Sequence, residues 1–208
     1  MRQGSLESVD VSGEIVRIRP VRSADADVLF PLIHRRREVL DWLIWQGPAT
    51  VEELRESYSR WRSSTELIDN YQFAIELRST GLACGTMGLR FSGDPDEGNL
   101  GYWLGSPAWG KGAGTEAIFL TALIAYEHCN VRALTAEVFL GNTASCRVLE
   151  HNGFERQAET QFCELPANPG EMPERREEWI YRQTRDAFEK MRAARGTSVD
   201  ANVRVRGA

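Results

Sequence analysis

The stretch of this 208-residue chain best suited to chemistry is Trp109-Gly110-Lys111-Gly112-Ala113-Gly114-Thr115. Alternate glycines let a backbone turn sharply and bring successive N–H groups against one ligand. Where such a loop opens a helix, those amides and the positive end of the helix dipole form a site for a diphosphate. Lys111 adds a cation and Thr115 a hydroxyl. The spacing is neither Gly-x4-Gly-Lys-Ser/Thr nor Gly-x-Gly-x-x-Gly, which sets aside the nucleoside-triphosphate and dinucleotide loops. The plain alternative is a glycine-rich strand–helix connection with no ligand. Further along, Leu134, Ala136, Val138 and Leu140 alternate with Thr135, Glu137 and Phe139, so Glu137 shares a strand face with Phe139, opposite the aliphatic set. Asn142 stands where it can cap the helix that follows.

Several switches of periodicity must position these residues. Ile15 to Val21 alternates apolar and basic residues and reads as a strand. Ser23 can cap a helix to about Arg37, with Asp25 and Asp27 in its first turn. Thr50 and Glu53 form a capping box opening a helix to about Trp61. Tyr71 to Leu77, a turn at Ser79-Thr80-Gly81, and residues 82–91 make a hairpin, and Asn99 to Leu104 is a third strand. The glycine loop then feeds an apolar helix, 115–128, a strand, 133–140, and a helix, 143–151, closed by Asn152-Gly153. Strand 99–104, helix 115–128 and strand 133–140 form a βαβ unit whose strands should be parallel neighbours. Strands near 157–165 and 176–184 follow, separated by a Pro/Gly loop at 166–173. The organisation expected is one domain over 14–186, a loose leader at 1–13, and a tail at 187–208, helical then flexible.

The glycine loop resembles motif A of the GNAT acyltransferase superfamily, with Trp109 in place of the usual Arg or Gln and with Gly112 and Gly114 matching. The string Tyr102-Trp103-Leu104, Trp109-Gly110-Lys111-Gly112 and Thr115-Glu116-Ala117 is similar to the RimJ/RimL-like branch, which includes enzymes that acetylate protein N-termini. Asn142 to Ser145 with Gly153-Phe154 resembles that branch's second signature. The resemblance spans roughly 15–185. It implies an α/β fold of GNAT type: a mixed, mostly antiparallel twisted sheet, a central parallel strand pair that splays apart, and about four flanking helices. It also implies acetyl-CoA as cosubstrate. The diphosphate would rest on Gly110 to Thr115, and the pantetheine would pair with backbone groups of Trp103, Leu104 and Gly105 in the splayed gap. Asn142 would cap its helix and also bond the pantetheine. Arg147 would reach the adenosine end or face water.

The implied reaction is direct attack of a neutral amine on the thioester. An α-amine titrates near 7.7–8 and a lysine near 10.4, so a base helps. Glu137 matches the general base of RimI-type relatives, and its alternative is an exposed strand glutamate. The tyrosine acid of many relatives is replaced by Leu149, which cannot donate. Ser145 stands where RimL-like proteins carry a serine proposed to protonate the thiolate; its alternative is a first-turn serine bonded to the backbone. Asn99 takes the place of a strand-opening glutamate, and Glu97 is expected in a solvent-facing turn. On the acceptor side Trp45 would line the pocket, with Trp42 and Trp61 in the core. Glu164 and the run Glu174, Glu177, Glu178 could attract a cationic acceptor or be a solvated face.

Composition sets limits. A net charge of -5 argues against a nucleic-acid binder. No apolar run is long enough to span a bilayer and the first residues lack a secretory h-region, so a cytoplasmic, membrane-free protein is expected. Cys84, Cys129, Cys146 and Cys163 have no paired spacing, and His34, His128 and His151 have none suited to a metal, so no metal is expected. A homodimer is common among the relatives. Three readings stand: an N-acetyltransferase of protein or peptide N-termini, an acetyltransferase of small amines such as amino acids, polyamines or aminoglycosides, and a non-catalytic acyl-CoA-binding module.

Overall fold

Alternating strands and one helix that is apolar on every side dictate a sheet covered on both faces. The computed structural model describes residues 9–61, 70–91, 94, 96–166 and 172–195. In chain order the elements are β1 (Val11–Ser12), β2 (Val16–Pro20), α1 (Asp25–Ile33), α2 (Arg37–Leu40), α3 (Val51–Trp61), β3 (Asn70–Leu77), β4 (Leu82–Arg90), β5 (Glu97–Leu104), α4 (Ala113–His128), β6 (Ala133–Phe139), α5 (Thr143–His151), β7 (Glu155–Glu164), β8 (Arg175–Thr184) and α6 (Arg185–Arg195). The sheet runs β1-β2-β3-β4-β5-β6-β8-β7. Only β5 and β6 pair in parallel among these strands. The helices number six among the described residues, against the four or so expected to flank the sheet.

Helix α4 is buried from Ala117 through Tyr126, as a helix apolar all round must be. It packs with α5 and α6 on one face, where Phe188 of α6 stacks on Phe119 and Tyr126. Helices α1 and α3 cover the other face in a second cluster that includes Trp103. The β5–β6 pairing runs only from Glu97↔Ala133 to Asn99↔Thr135. Beyond Asn99 the two strands separate at their C-terminal ends, which is the gap the expected fold requires.

Three expectations change. The helix from Ser23 to Arg37 stops at Ile33: Pro31 lacks an N–H and Arg35 adopts a φ of +56°, so α2 starts anew. Its N-cap is Ala24, not Ser23, while the Asp25 carboxylate accepts from the Arg22 amide at 2.7 Å. From residue 9 the expected leader packs into the core, with Val9 and Val11 fully buried, and Val11–Ser12 pair with β2 at the edge of the sheet. Residues 1–8 and 196–208 lie outside the described residues. The capping box holds: Glu53 N–H donates to Thr50 Oγ1 at 3.1 Å, and Ala49 N–H to Glu53 Oε2 at 2.8 Å. No described helix is long and apolar enough to cross a membrane.

Arg19, 5% exposed, donates to both Asp25 oxygens at 2.8 Å and to Glu76 at 2.7 Å. Removing a partner from a buried ion pair costs about 3–5 kcal/mol. Arg19→Met is therefore expected to lower the melting temperature by about 10 °C, because each kcal/mol is worth about 2–4 °C at this size. A calorimetric fall of under 2 °C would remove this anchor from the account.

Candidate active site

The glycine loop enters α4 through Gly112, at a φ of +79° and with no side-chain cap. The first bonded amide of the turn is Glu116, to the Gly112 carbonyl at 3.0 Å. Among the described residues the amides of Gly110 to Thr115 donate to no backbone or side-chain acceptor. Unpaired N–H groups at a helix start are the donors that a diphosphate needs. The loop is held from two sides. Trp109 Nε1 donates to the Leu104 carbonyl at 2.8 Å. The Glu116 carboxylate accepts from the amides of Glu14, Ile15 and Val16 at 2.7, 2.7 and 2.6 Å, clamping the start of β2 onto the first turn of α4.

A cavity of about 840 Å³ runs from this loop through the β5–β6 gap to α2, the loop after it and α3. It brings together Trp45, Trp103, Leu104, Trp109, Gly110, Gly112, Ala113, Gly114, Thr115, Glu137, Asn142 and Ser145. Four expected site residues lie outside it. Gly105 donates its amide to the Cys84 carbonyl at 2.8 Å, so that amide is engaged in the sheet. Lys111 Nζ turns to the Pro107 carbonyl at 2.7 Å. Glu164 is exposed at the end of β7 and does not reach the acceptor end. Arg147 is exposed and lines a second cavity of about 700 Å³, with Arg78, His151 and Arg195 beside the first turn of α4.

On the cavity floor Asn99 Nδ2 donates to Glu137 Oε2 at 2.7 Å and to Thr135 Oγ1 at 3.1 Å. Asn99, which the motif comparison leaves blank, thus orients the candidate base. Burial raises the Glu137 carboxyl above its ordinary range. Nearby Glu178 pushes the same way, while the Asn99 bond and the Arg90 charge oppose. The acidic run divides: Glu178 is 4% exposed, lines the cavity and accepts from Gln161 at 3.1 Å. Glu177 bonds Thr160 at the surface and Glu174 is exposed. Glu97 is the first residue of β5, held by Arg182 at 2.7 Å, rather than a solvent-facing turn residue.

Asn142 caps α5 through the Ser145 amide at 3.1 Å. Leu149 is 1% exposed and inert. The Ser145 side chain instead lies near Tyr102, whose phenol is raised by burial and partly relieved by Ser145. Tyr102, which the motif string contains but to which it gives no role, shares a strand face with Leu100 and Leu104, and nothing local sets it apart from them. Trp42, expected in the core, lines the cavity with 38% exposure and stands over Gly141. The side chain of Trp61 lies outside the described residues. The 41–48 loop closes the acceptor end, tied by Arg176 to the Asp41 carbonyl at 2.5 Å and by Gln46 to the Pro166 carbonyl at 2.6 Å. Among the described residues no group of three His, Cys, Asp or Glu could hold a metal.

The family model described as an acetyltransferase (GNAT) domain matches residues 16–155. The "Probable N-acetyltransferase YjcK" of Bacillus subtilis (strain 168) is 27% identical over 152 residues, covering 71% of this chain and 84% of that protein. The Mycobacterium smegmatis RimJ in complex with CoA-disulfide superposes with a TM-score of 0.75 at 21% identity, over 93% of this chain and 97% of that one. A GCN5-related N-acetyltransferase from Brucella melitensis superposes with a TM-score of 0.71 at 20% identity, over 89% and 82%.

Proposed function

Since the chain belongs to the GNAT acetyltransferase family and is an acetyl-CoA-dependent acetyltransferase, we propose that its acceptor is a primary amine at a protein or peptide N-terminus. The observation that carries this reading is one continuous cavity that joins free helix-start amides to a half-buried, oriented carboxylate. The diphosphate of the coenzyme rests on the amides of Gly110 to Thr115. The pantetheine follows the gap beside Leu104, capped by Asn142. Glu137 takes a proton from the acceptor ammonium. The freed nitrogen lone pair then attacks the thioester carbon, the nitrogen sheds its second proton to water, the carbon–sulfur bond breaks, and the thiolate leaves. Ser145, beside Tyr102, gives its hydroxyl proton to sulfur and is reprotonated from solvent. Similarity to the RimJ structure supports a protein acceptor. The tied 41–48 loop, which narrows the acceptor end, favours a small amine as the second reading.

Thiol release from acetyl-CoA, measured over N-terminal peptides and small amines, tests the assignment. Turnover on peptides supports it, and turnover on small amines alone replaces it with the second reading. Coenzyme binding without turnover on any amine would leave a binding module.

Ser145→Ala is expected to lower kcat by only about tenfold, because a thiol with a pKa of about 8.5 is a good leaving group needing little acid help. Tyr102→Phe should do the same, and the double variant no more than either single one. Additive losses would contradict a shared proton path.

A further inference from the structure

Arg90 stands at the end of β4 and is the only basic side chain lining the cavity among the described residues. The two acidic groups there each have a partner: Asn99 for Glu137 and Gln161 for Glu178. Arg90 has neither a hydrogen bond nor an ion pair with any described residue, and its side chain is exposed where the cavity opens. Its place is nonetheless defined. Gly88 and Gly101 are register partners on β4 and β5, and the guanidinium lies across them. A side-chain carbon at Gly101 would stand 3.8 Å from Arg90 Nη2, and one at Gly88 3.8 Å from its Nε. Gly101 has no other neighbour within 4 Å of such a carbon, whereas the space over Gly88 is shared with Gln72, whose Oε1 would stand 3.3 Å away, so the clear floor beside the charge lies over Gly101.

The register fixes what lies next to it. β5 and β6 align Asn99 with Thr135, the last pair before the strands separate, and Gly101 and Glu137 each lie two residues further on, on opposite sides of the gap. Strands lie about 5 Å apart, and more where they splay. The guanidinium and the Glu137 carboxylate face the same chamber, close enough for the Arg90 charge to act on that carboxylate. A plain amine would meet Glu137 and leave Arg90 unmatched.

We infer that the acceptor carries an anionic group a few bonds from its amine, with the amine at Glu137 and the anion on the guanidinium of Arg90. An α-amino acid has this layout, and so does a peptide with an acidic residue in its first two positions. A planar guanidinium binds a carboxylate through two parallel bonds, a geometry that lysine reproduces only as a point charge. The inference rests on the reading of this chamber as the acceptor site.

The test is acetyl transfer to matched acceptors: an amino acid against its amide, and peptides beginning with Asp or Glu against the same peptides with Asn or Gln. The acid member is expected to be favoured at least about tenfold in kcat/KM, chiefly through KM. The free amino acid and the acidic peptide, as separate arms, show which source is used. Arg90→Gln should bring the members of each pair within about twofold, and Arg90→Lys should keep part of the preference. Melting temperature and coenzyme affinity, read on the same variants, separate lost recognition from lost fold. Equal rates for acid and amide, or a preference that survives Arg90→Gln in a folded variant, overturns the inference while leaving amine acetylation intact. Failure to acetylate any amine overturns both.

Discussion

Glu137→Gln is expected to lower kcat/KM by about 10²–10³-fold at neutral pH, the range that a positioned general base supplies. The pH profile makes the expectation specific. Burial raises the Glu137 carboxyl above 4.5, so the active, ionised form is lost at a higher pH than for an exposed glutamate. The acidic limb of kcat/KM in the wild type should sit correspondingly high and vanish in Glu137→Gln. Asn99→Leu removes the bond that favours the carboxylate, so it should push the limb higher still. Stability moves the other way. The folded state holds this proton more tightly than the unfolded chain, so the contribution of Glu137 is favourable below about 4.5 and lost as pH rises through the raised value. At pH 7 the half-buried charge opposes folding, and Glu137→Gln should melt no lower than the wild type. A glutamine variant with an unchanged rate and limb would assign the base elsewhere.

Gly112→Val is expected to weaken coenzyme A binding by about a hundredfold, or about 2.7 kcal/mol. Two effects add. Valine at a φ of +79° is strained, since its branched carbon crowds the neighbouring backbone. A Cβ at that position would also lie 2.8 Å from Ile15 Cδ1. Glu116 ties the Glu14–Val16 amides to α4, so the contact is relieved by a turn of the partly exposed Ile15 side chain and the backbone strain carries the larger share of the loss. The clash and the strain can be separated. Gly112→Ala alone should show part of the loss, and adding Ile15→Ala should recover the steric share only. Calorimetric titration with coenzyme A reads each step. A dissociation constant within twofold of the wild type for Gly112→Val would mean that the loop does not need its left-handed turn.

What could be read before the fold was known follows from locality. The Thr50–Glu53 capping box, the Asn142 cap and the glycine loop all act over a few residues, and each stands where its spacing indicates. The parallel β5–β6 pair follows from a short βαβ unit, and its splaying from the family resemblance. Local signals fail where distant strands decide. Glu97 reads as a turn residue because its partner, Arg182, is 85 positions away. Glu178 sits in Arg175-Arg176-Glu177-Glu178, a run with no alternation to say which carboxylate points inward. Pairing with Phe139 across β6 and β8 turns Glu178 toward the cavity and leaves Glu177 at the surface. Asn99 looks like a lost glutamate until its amide is seen to hold Glu137. Trp42 is apolar enough for a core but lines the cavity, because α1 breaks at Arg35 and the 41–48 loop folds over the acceptor end.

The most direct measurement is an amide-resolved NMR titration of the full chain with coenzyme A, repeated with pantetheine, which lacks the diphosphate. The account predicts saturable downfield shifts of the Gly110–Thr115 amides with coenzyme A and little change there with pantetheine. Coenzyme A that binds and leaves those six amides unmoved would contradict it.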